Sequence, residues 1–123
     1  MYSPQLLDHF EHPRNAGEVD NPDASVQIEN PVCGDVLQLS LKVADGRISE
    51  IRFRCKGCVP AMACASALTE MVKGRTLDAA RRLQREELVN FVGGLPVASS
   101  HASHLAMAAF ADALKKLSGK PGL

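Results

Sequence analysis

The chain has 123 residues, and a length of this order suits one compact domain with its own core. Apolar residues make up 46% and charged residues 23%, which excludes a disordered or fibrous chain, and the apolar runs are too short to span a membrane. Fourteen basic and fourteen acidic residues cancel, so no bulk positive field is available to hold nucleic acid. Ser3 and Pro4 open a short helix, since Ser caps and Pro suits the first helical position. Leu6, Leu7 and Phe10 give it an apolar side, His9 and His12 cap or pair beside it, and His12-Pro13-Arg14-Asn15-Ala16-Gly17 ends it. An acidic loop leads to a short strand over residues 25–30. Leu37, Leu39, Leu41 and Val43 then alternate with polar residues in a half-buried strand. Asp45-Gly46 is a hairpin turn, and residues 48–54 return with Ile51 and Phe53 inward.

From Ala61 the period becomes helical and runs to Lys73, with Gly74 at the place of a C-terminal glycine. Thr76 caps a second helix over residues 77–83, and residues 86–92 form a third. Gly93-Gly94-Leu95-Pro96 breaks the pattern. Ser99 or Ser100 then caps a long Ala-, Leu- and Met-rich helix over residues 101–117. With one Tyr, four Phe and no Trp, the core has to rest on Leu, Val, Ile, Ala and Met; Met62, Met71 and Met107 read as fillers of that core. Strands followed by helices predict an α+β domain over 1–123: a three-stranded antiparallel sheet, helices on one face, and a frayed tail over 118–123. The opening residues lack the basic leader and apolar stretch of a secretion signal, so a cytoplasmic location is expected.

Four cysteines carry the chemistry: Cys33, Cys55, Cys58 and Cys64. A cytoplasmic location argues against structural disulfides and leaves a metal site, a redox pair or core packing. In a three-stranded meander, the loop between the first two strands and the exit of the third fall at the same end of the sheet. Chain direction therefore brings Cys33-Gly34-Asp35 toward Cys55-Lys56-Gly57-Cys58, and Gly34 and Gly57 let backbone pass close to a bulky ligand. Cys64 also lies on a helical line with Leu68, Met71 and Val72, the pattern of a buried core residue. Free N–H groups at the start of the following helix favour thiolate at Cys58 and Cys64, and Arg54 and Lys56 are expected to lower the pKa of Cys55. Cys-Lys-Gly-Cys spacing suits a redox pair or a metal. His101 and His104, three apart at a helix start, offer imidazole to the same kind of site.

These residues resemble the U-type iron–sulfur cluster assembly scaffold family (IscU, SufU and the NifU N-terminal domain). Tyr2, Asp8-His9-Phe10 and the 12–17 segment resemble its opening. Asn30-Pro31-Val32-Cys33-Gly34-Asp35 resembles its first ligand loop. Phe53, Gly57-Cys58, Ala63, Ser66, Leu68-Thr69-Glu70, Val72-Lys73-Gly74 and Leu77 fall into its second. The resemblance implies a scaffold, not a turnover enzyme, that binds iron, accepts sulfur, holds a 2Fe–2S cluster and passes it to apo-proteins. It implies Cys33 and Cys58 as ligands and Asp35 as the carboxylate that tunes lability.

The family's third ligand segment reads His-Cys, and here that place is His101-Ala102. Three readings stand open. His101 joins Cys33, Asp35 and Cys58 around iron, a 2Fe–2S cluster or zinc; Cys64 or Cys55 replaces the missing thiolate; or the chain no longer builds clusters. In that last case it would be a zinc-binding regulatory module of a cysteine desulfurase. The expected partners are a cysteine desulfurase and apo client proteins, with no nucleic acid and no membrane. A homodimer sharing a cluster between two incomplete sites is compatible with the ligand count. The family's chaperone segment, Leu-Pro-Pro-Val-Lys, is reduced to Leu95-Pro96-Val97-Ala98, which weakens the case for a dedicated chaperone. Residues 1–31 hold six acids and one base, whereas residues 42–85 hold ten bases and four acids, which offers a basic face for the desulfurase.

Overall fold

The structure is a computed structural model that describes residues 1–31 and 34–119. Cys33 and the tail residues 120–123 lie outside the described residues. In chain order the elements are helix α1 (Pro4–Glu11), strands β1 (Ala24–Glu29), β2 (Val36–Ala44) and β3 (Arg47–Lys56), and helices α2 (Val59–Val72), α3 (Leu77–Arg81) and α4 (Arg85–Phe91). A 3₁₀ turn (Val97–Ser99) leads into α5 (Ser100–Ser118). The expected α+β architecture is what forms.

The sheet is antiparallel in the order β1-β2-β3, and its register lines up three apolar rows on one face. Ala24, Leu41 and Ile51 form one row, Val26, Leu39 and Phe53 the next, and Ile28, Leu37 and Cys55 the last. The period-2 alternation of β2 therefore sets which residues meet the helices. Asp45 and Gly46 both take positive φ (54° and 72°), the geometry of a two-residue hairpin turn whose twist matches the strands. Just before the turn, the β2–β3 register shifts between Lys42 and Val43, which leaves Ser49 unpaired on β3 as a bulge.

Helices α2 and α5 lie on the apolar rows, and α1 and α4 pack against α2. Alanines make this layer thin: Ala63, Ala65 and Ala67 of α2 and Ala102, Ala106, Ala109 and Ala113 of α5 are all buried. Small side chains let neighbouring helices approach closely, which is how a core poor in aromatics fills its volume. Among the described residues, no helix is long and apolar enough to cross a membrane.

Several features of the fold go beyond the sequence expectations. Segment 12–17 does more than end α1: it docks on the free edge of β3. Phe53 donates its N–H to the Asn15 carbonyl at 3.0 Å, and Gly17 donates to the Phe53 carbonyl at 2.8 Å. Asn15 does this with φ 56°, a left-handed conformation that Asn tolerates. His9 is not a cap. It is buried between α1 and α2, while exposed His12 pairs with Asp8 at 3.4 Å. The 3₁₀ turn was not foreseen, and Ser99 caps α5 without a side-chain hydrogen bond. Ser118 ends α5, its hydroxyl donating to the Leu114 carbonyl at 3.2 Å.

The surroundings of His9 determine its tautomer. Ser66 Oγ accepts the Arg14 N–H at 2.8 Å and lies 2.8 Å from His9 Nδ1; because a carboxylate at Nε2 can only accept, the neutral ring carries its proton on Nε2, and Ser66 donates to Nδ1. His9 Nε2–H then faces Glu70 at 3.5 Å. Burial, followed by the Arg14 guanidinium, holds the His9 pKa below its usual value, against the pull of Glu70 and Asp8. The unfolded chain takes up its proton near pH ~6.5, and the folded chain only lower. Stability at this site is therefore full above that pH and falls as acid is added, by at most about 1.4 kcal/mol per pH unit. Urea unfolding between neutral pH and about pH 5.5 should show this fall in the wild type and a flatter dependence in His9→Gln; equal slopes would refute the assignment.

Candidate metal centre

Asp35 ends the loop before β2, Cys58 is the N-cap residue of α2, and His101 lies in the first turn of α5. The sheet brings the first two together. Val36 pairs with Lys56, so Asp35 comes opposite Gly57, beyond the last pair of the ladder. A Cβ on Gly57 would lie 2.5 Å from Asp35 Oδ1 and 2.8 Å from its Cγ, so only glycine fits this crossing without displacement. The sequence suggested that Gly57 makes room for a ligand; the structure shows that it makes room for Asp35.

Asp35 is buried, and its carboxylate is divided between two functions. Oδ1 accepts the Cys58 backbone N–H at 3.2 Å, and Oδ2 accepts the Cys58 thiol at 3.5 Å. The first contact places a carboxylate at the N-terminus of α2, where the helix dipole favours it. His101 Nε2 completes the group, 3.6 Å from Cys58 Sγ and 3.6 Å from Asp35 Oδ2. All three donor atoms lie within 4.8 Å of one another, and this is the one such group among the described residues. The centre is reachable, with about a third of the His101 side chain exposed (31%).

The alternative ligands lie outside this three-donor group. Cys64 has no exposed surface and sits in the second turn of α2, because the helix begins at Val59 and not at Ala61. Burial pushes its thiol up to about 12. Cys55 points inward in the Leu37 row, and burial, then the Asp35 carboxylate and Cys58, pushes it up to about 11. Arg54 and Lys56 do not lower it, since strand alternation turns them to the exposed face. His104 is exposed and outside the group. Cys58 is likewise raised: burial outweighs the Ala61 N–H that draws it down, and the Asp35 carboxylate adds to the rise. The expected thiolate-favouring fields are therefore overcome by desolvation and a like-charged neighbour.

In the metal-free centre, then, Cys58 holds a proton shared with Asp35, and a cation would take that proton's place. One sulfur, one nitrogen and one oxygen donor form a set suited to zinc or iron. Ala102, where the resembled family carries its third cysteine, is buried beneath this rim and offers no donor.

Comparison with known proteins shows the family. The family model of the NifU-like N-terminal domain matches residues 1–122. The chain is 42% identical over 116 residues to an iron–sulfur cluster assembly scaffold protein, IscU 1, of Archaeoglobus fulgidus, covering 94% of this chain and 73% of that protein. It is 40% identical over 127 aligned positions to the scaffold protein IscU of Escherichia coli K12, covering 97% and 98%. In three dimensions it resembles the N-terminal NifU-like protein of Brucella abortus, with a TM-score of 0.79 at 20% identity, covering 96% of this chain and 94% of the other, a likeness of fold alone. With its fold, its centre and the match over nearly its whole length, the chain belongs to the NifU-like N-terminal domain family, the U-type iron–sulfur cluster assembly scaffolds.

Proposed function

We propose that this protein is an iron–sulfur cluster assembly scaffold whose centre is Asp35, Cys58 and His101, joined by Cys33, which precedes Asp35 in the chain. Iron and sulfide are its cargo: it binds iron, accepts sulfur, holds a nascent 2Fe–2S cluster and passes it to apo-proteins. The observation that carries this reading is the donor triangle, with edges of 3.5, 3.6 and 3.6 Å. Bonds of about 2.3 Å to sulfur and about 2.0–2.1 Å to nitrogen and oxygen, at tetrahedral angles, place such donors about 3.3–3.6 Å apart. The centre is thus spaced for a four-coordinate ion before any ion arrives. Its relatives from Archaeoglobus fulgidus and Escherichia coli are named as such scaffolds, which supports the same role here.

The mixed donor set suits a carrier. An all-thiolate site would hold iron or zinc firmly, whereas a carboxylate and an imidazole are ligands a competing thiolate can displace. Sulfur would come from a cysteine desulfurase. The exposed Arg52, Arg54 and Lys56, a row along β3 toward the end that carries the centre, support docking of an acidic surface, although Arg54 also pairs with Glu18 at 3.3 Å.

Anaerobic incubation with ferrous iron, sulfide and a desulfurase should yield a visible absorption that bleaches on reduction, with about two irons per chain if one 2Fe–2S cluster forms. Tight zinc binding with no iron uptake would defeat the scaffold reading. His101→Ala and Cys58→Ser should each weaken zinc binding by more than the ~100-fold that loss of an outer-shell partner can cost. Unchanged affinity in His101→Ala would remove the imidazole from the centre. Gly57→Ala should lower both zinc affinity and Tm, because the added methyl displaces Asp35; a variant with wild-type values in both measurements would show the crossing to be unimportant.

A further inference from the structure

Cys55 is the chemistry-bearing residue that the proposed function leaves unused. It occupies the last apolar row of the sheet, opposite Leu37, and Asp35 stands two residues before Leu37. Asp35 and Cys55 are thus diagonal neighbours at the end of the ladder, on one side of the sheet. The Asp35 carboxylate in turn contacts the Cys58 thiol at 3.5 Å. The two thiols therefore flank one carboxylate, separated along the chain by Lys56, whose side chain is exposed, and by Gly57, which has none. The rise of the Cys55 pKa caused by Cys58 agrees with this proximity. Cys55 also lines an open cleft of about 250 Å³ with Phe53, Met62, Pro13 and Gly17, so small molecules reach it from outside. Cys64, by contrast, has no exposed surface.

We propose that Cys55 and Cys58 form a reversible dithiol–disulfide pair, in which Cys55 resolves an oxidised Cys58 and withdraws that thiol from the metal centre. The oxidant class is a small disulfide such as glutathione disulfide. The Cys58 thiol, hydrogen-bonded to Asp35 Oδ2 at 3.5 Å, gives up its proton to solvent, and its sulfur attacks one sulfur of glutathione disulfide. That S–S bond breaks, one glutathione leaves as thiolate and is protonated, and a mixed disulfide remains on Cys58. Cys55 then loses its proton to solvent and attacks the Cys58 sulfur. The second glutathione leaves and is protonated in turn. Two protein thiols have lost two electrons, and one glutathione disulfide has become two glutathiones. Gly57 gives the backbone the rotational freedom to bring the sulfurs to bonding distance. The consequence for metal binding rests on the proposed function; the pairing itself does not.

The test uses the full chain, metal-free, incubated with excess glutathione disulfide, then alkylated and digested with trypsin without reduction. Cleavage after Arg54, Lys56 and Lys73 separates a Cys55-Lys56 dipeptide from the peptide spanning 57–73. These two should be recovered joined, with the chain losing two thiols while Cys33 and Cys64 are alkylated. Cys64→Ala should keep the link, and Cys55→Ser should stop at a single glutathione on Cys58. A link from Cys58 to Cys33, or a wild-type chain that stops at the glutathione adduct, would overturn the proposal. The oxidised chain should lose zinc binding and recover it on reduction. If the link forms but the reduced chain binds no zinc, the metal centre fails and the pair stands. If zinc binds and no link forms, the pair fails and the centre stands.

Discussion

The crossing of Asp35 over Gly57 is the contact on which the rest of the centre depends. A buried carboxylate is tolerable only when its oxygens find donors. Here one oxygen takes the Cys58 backbone N–H and the other the Cys58 thiol. The first interaction ties the exit of β3 and the start of α2 to the loop before β2. The second aims the thiol at the place where His101 arrives from α5. Removing the glycine's open space would separate all of these at once, because the clash falls on the carboxylate itself.

The scaffold around that contact is built for precision with small residues. Alanine-rich α2 and α5 lie close together over three apolar rows, so the ends of both helices are held in a fixed relation to the end of the sheet. Docking of Asn15 to Gly17 on β3 closes an edge that would otherwise invite pairing with another chain. The buried His9–Ser66–Arg14 network fastens the same segment to α2. The result is a rigid frame carrying a centre that is itself at the rim and partly exposed. A frame of that kind can hold a cargo without enclosing it.

Much of this architecture was legible in the residues. Alternation from Leu37 to Val43, the Asp45-Gly46 turn and the change of period at Ala61 located the strands and helices to within a few positions, because local physics acts there without competition. The same chain direction brought Asp35 and Cys58 to one end of the sheet. Thiol chemistry was misjudged for a physical reason. Nearby cations and a helix start are visible in a sequence, but desolvation is not, and burial outweighs both at Cys55, Cys58 and Cys64. The docked edge at Asn15–Gly17 was equally hidden, since its hydrogen bonds join residues far apart in the chain.

By itself, then, the sequence determined the elements, their order, the family resemblance and the absence of a cysteine at Ala102. Those features follow from side-chain period, turn chemistry and residue identity, all of them local. Only the tertiary structure decided which of the remaining donors belong together. It set His101, which the resemblance had already singled out, within 3.6 Å of Cys58 and Asp35, left His104 exposed, and placed Cys64 in the core rather than at the rim. The reason is distance: a metal site is a matter of ångströms between atoms on three separate elements, and those separations exist only once the sheet register and the packing of α2 and α5 have set them.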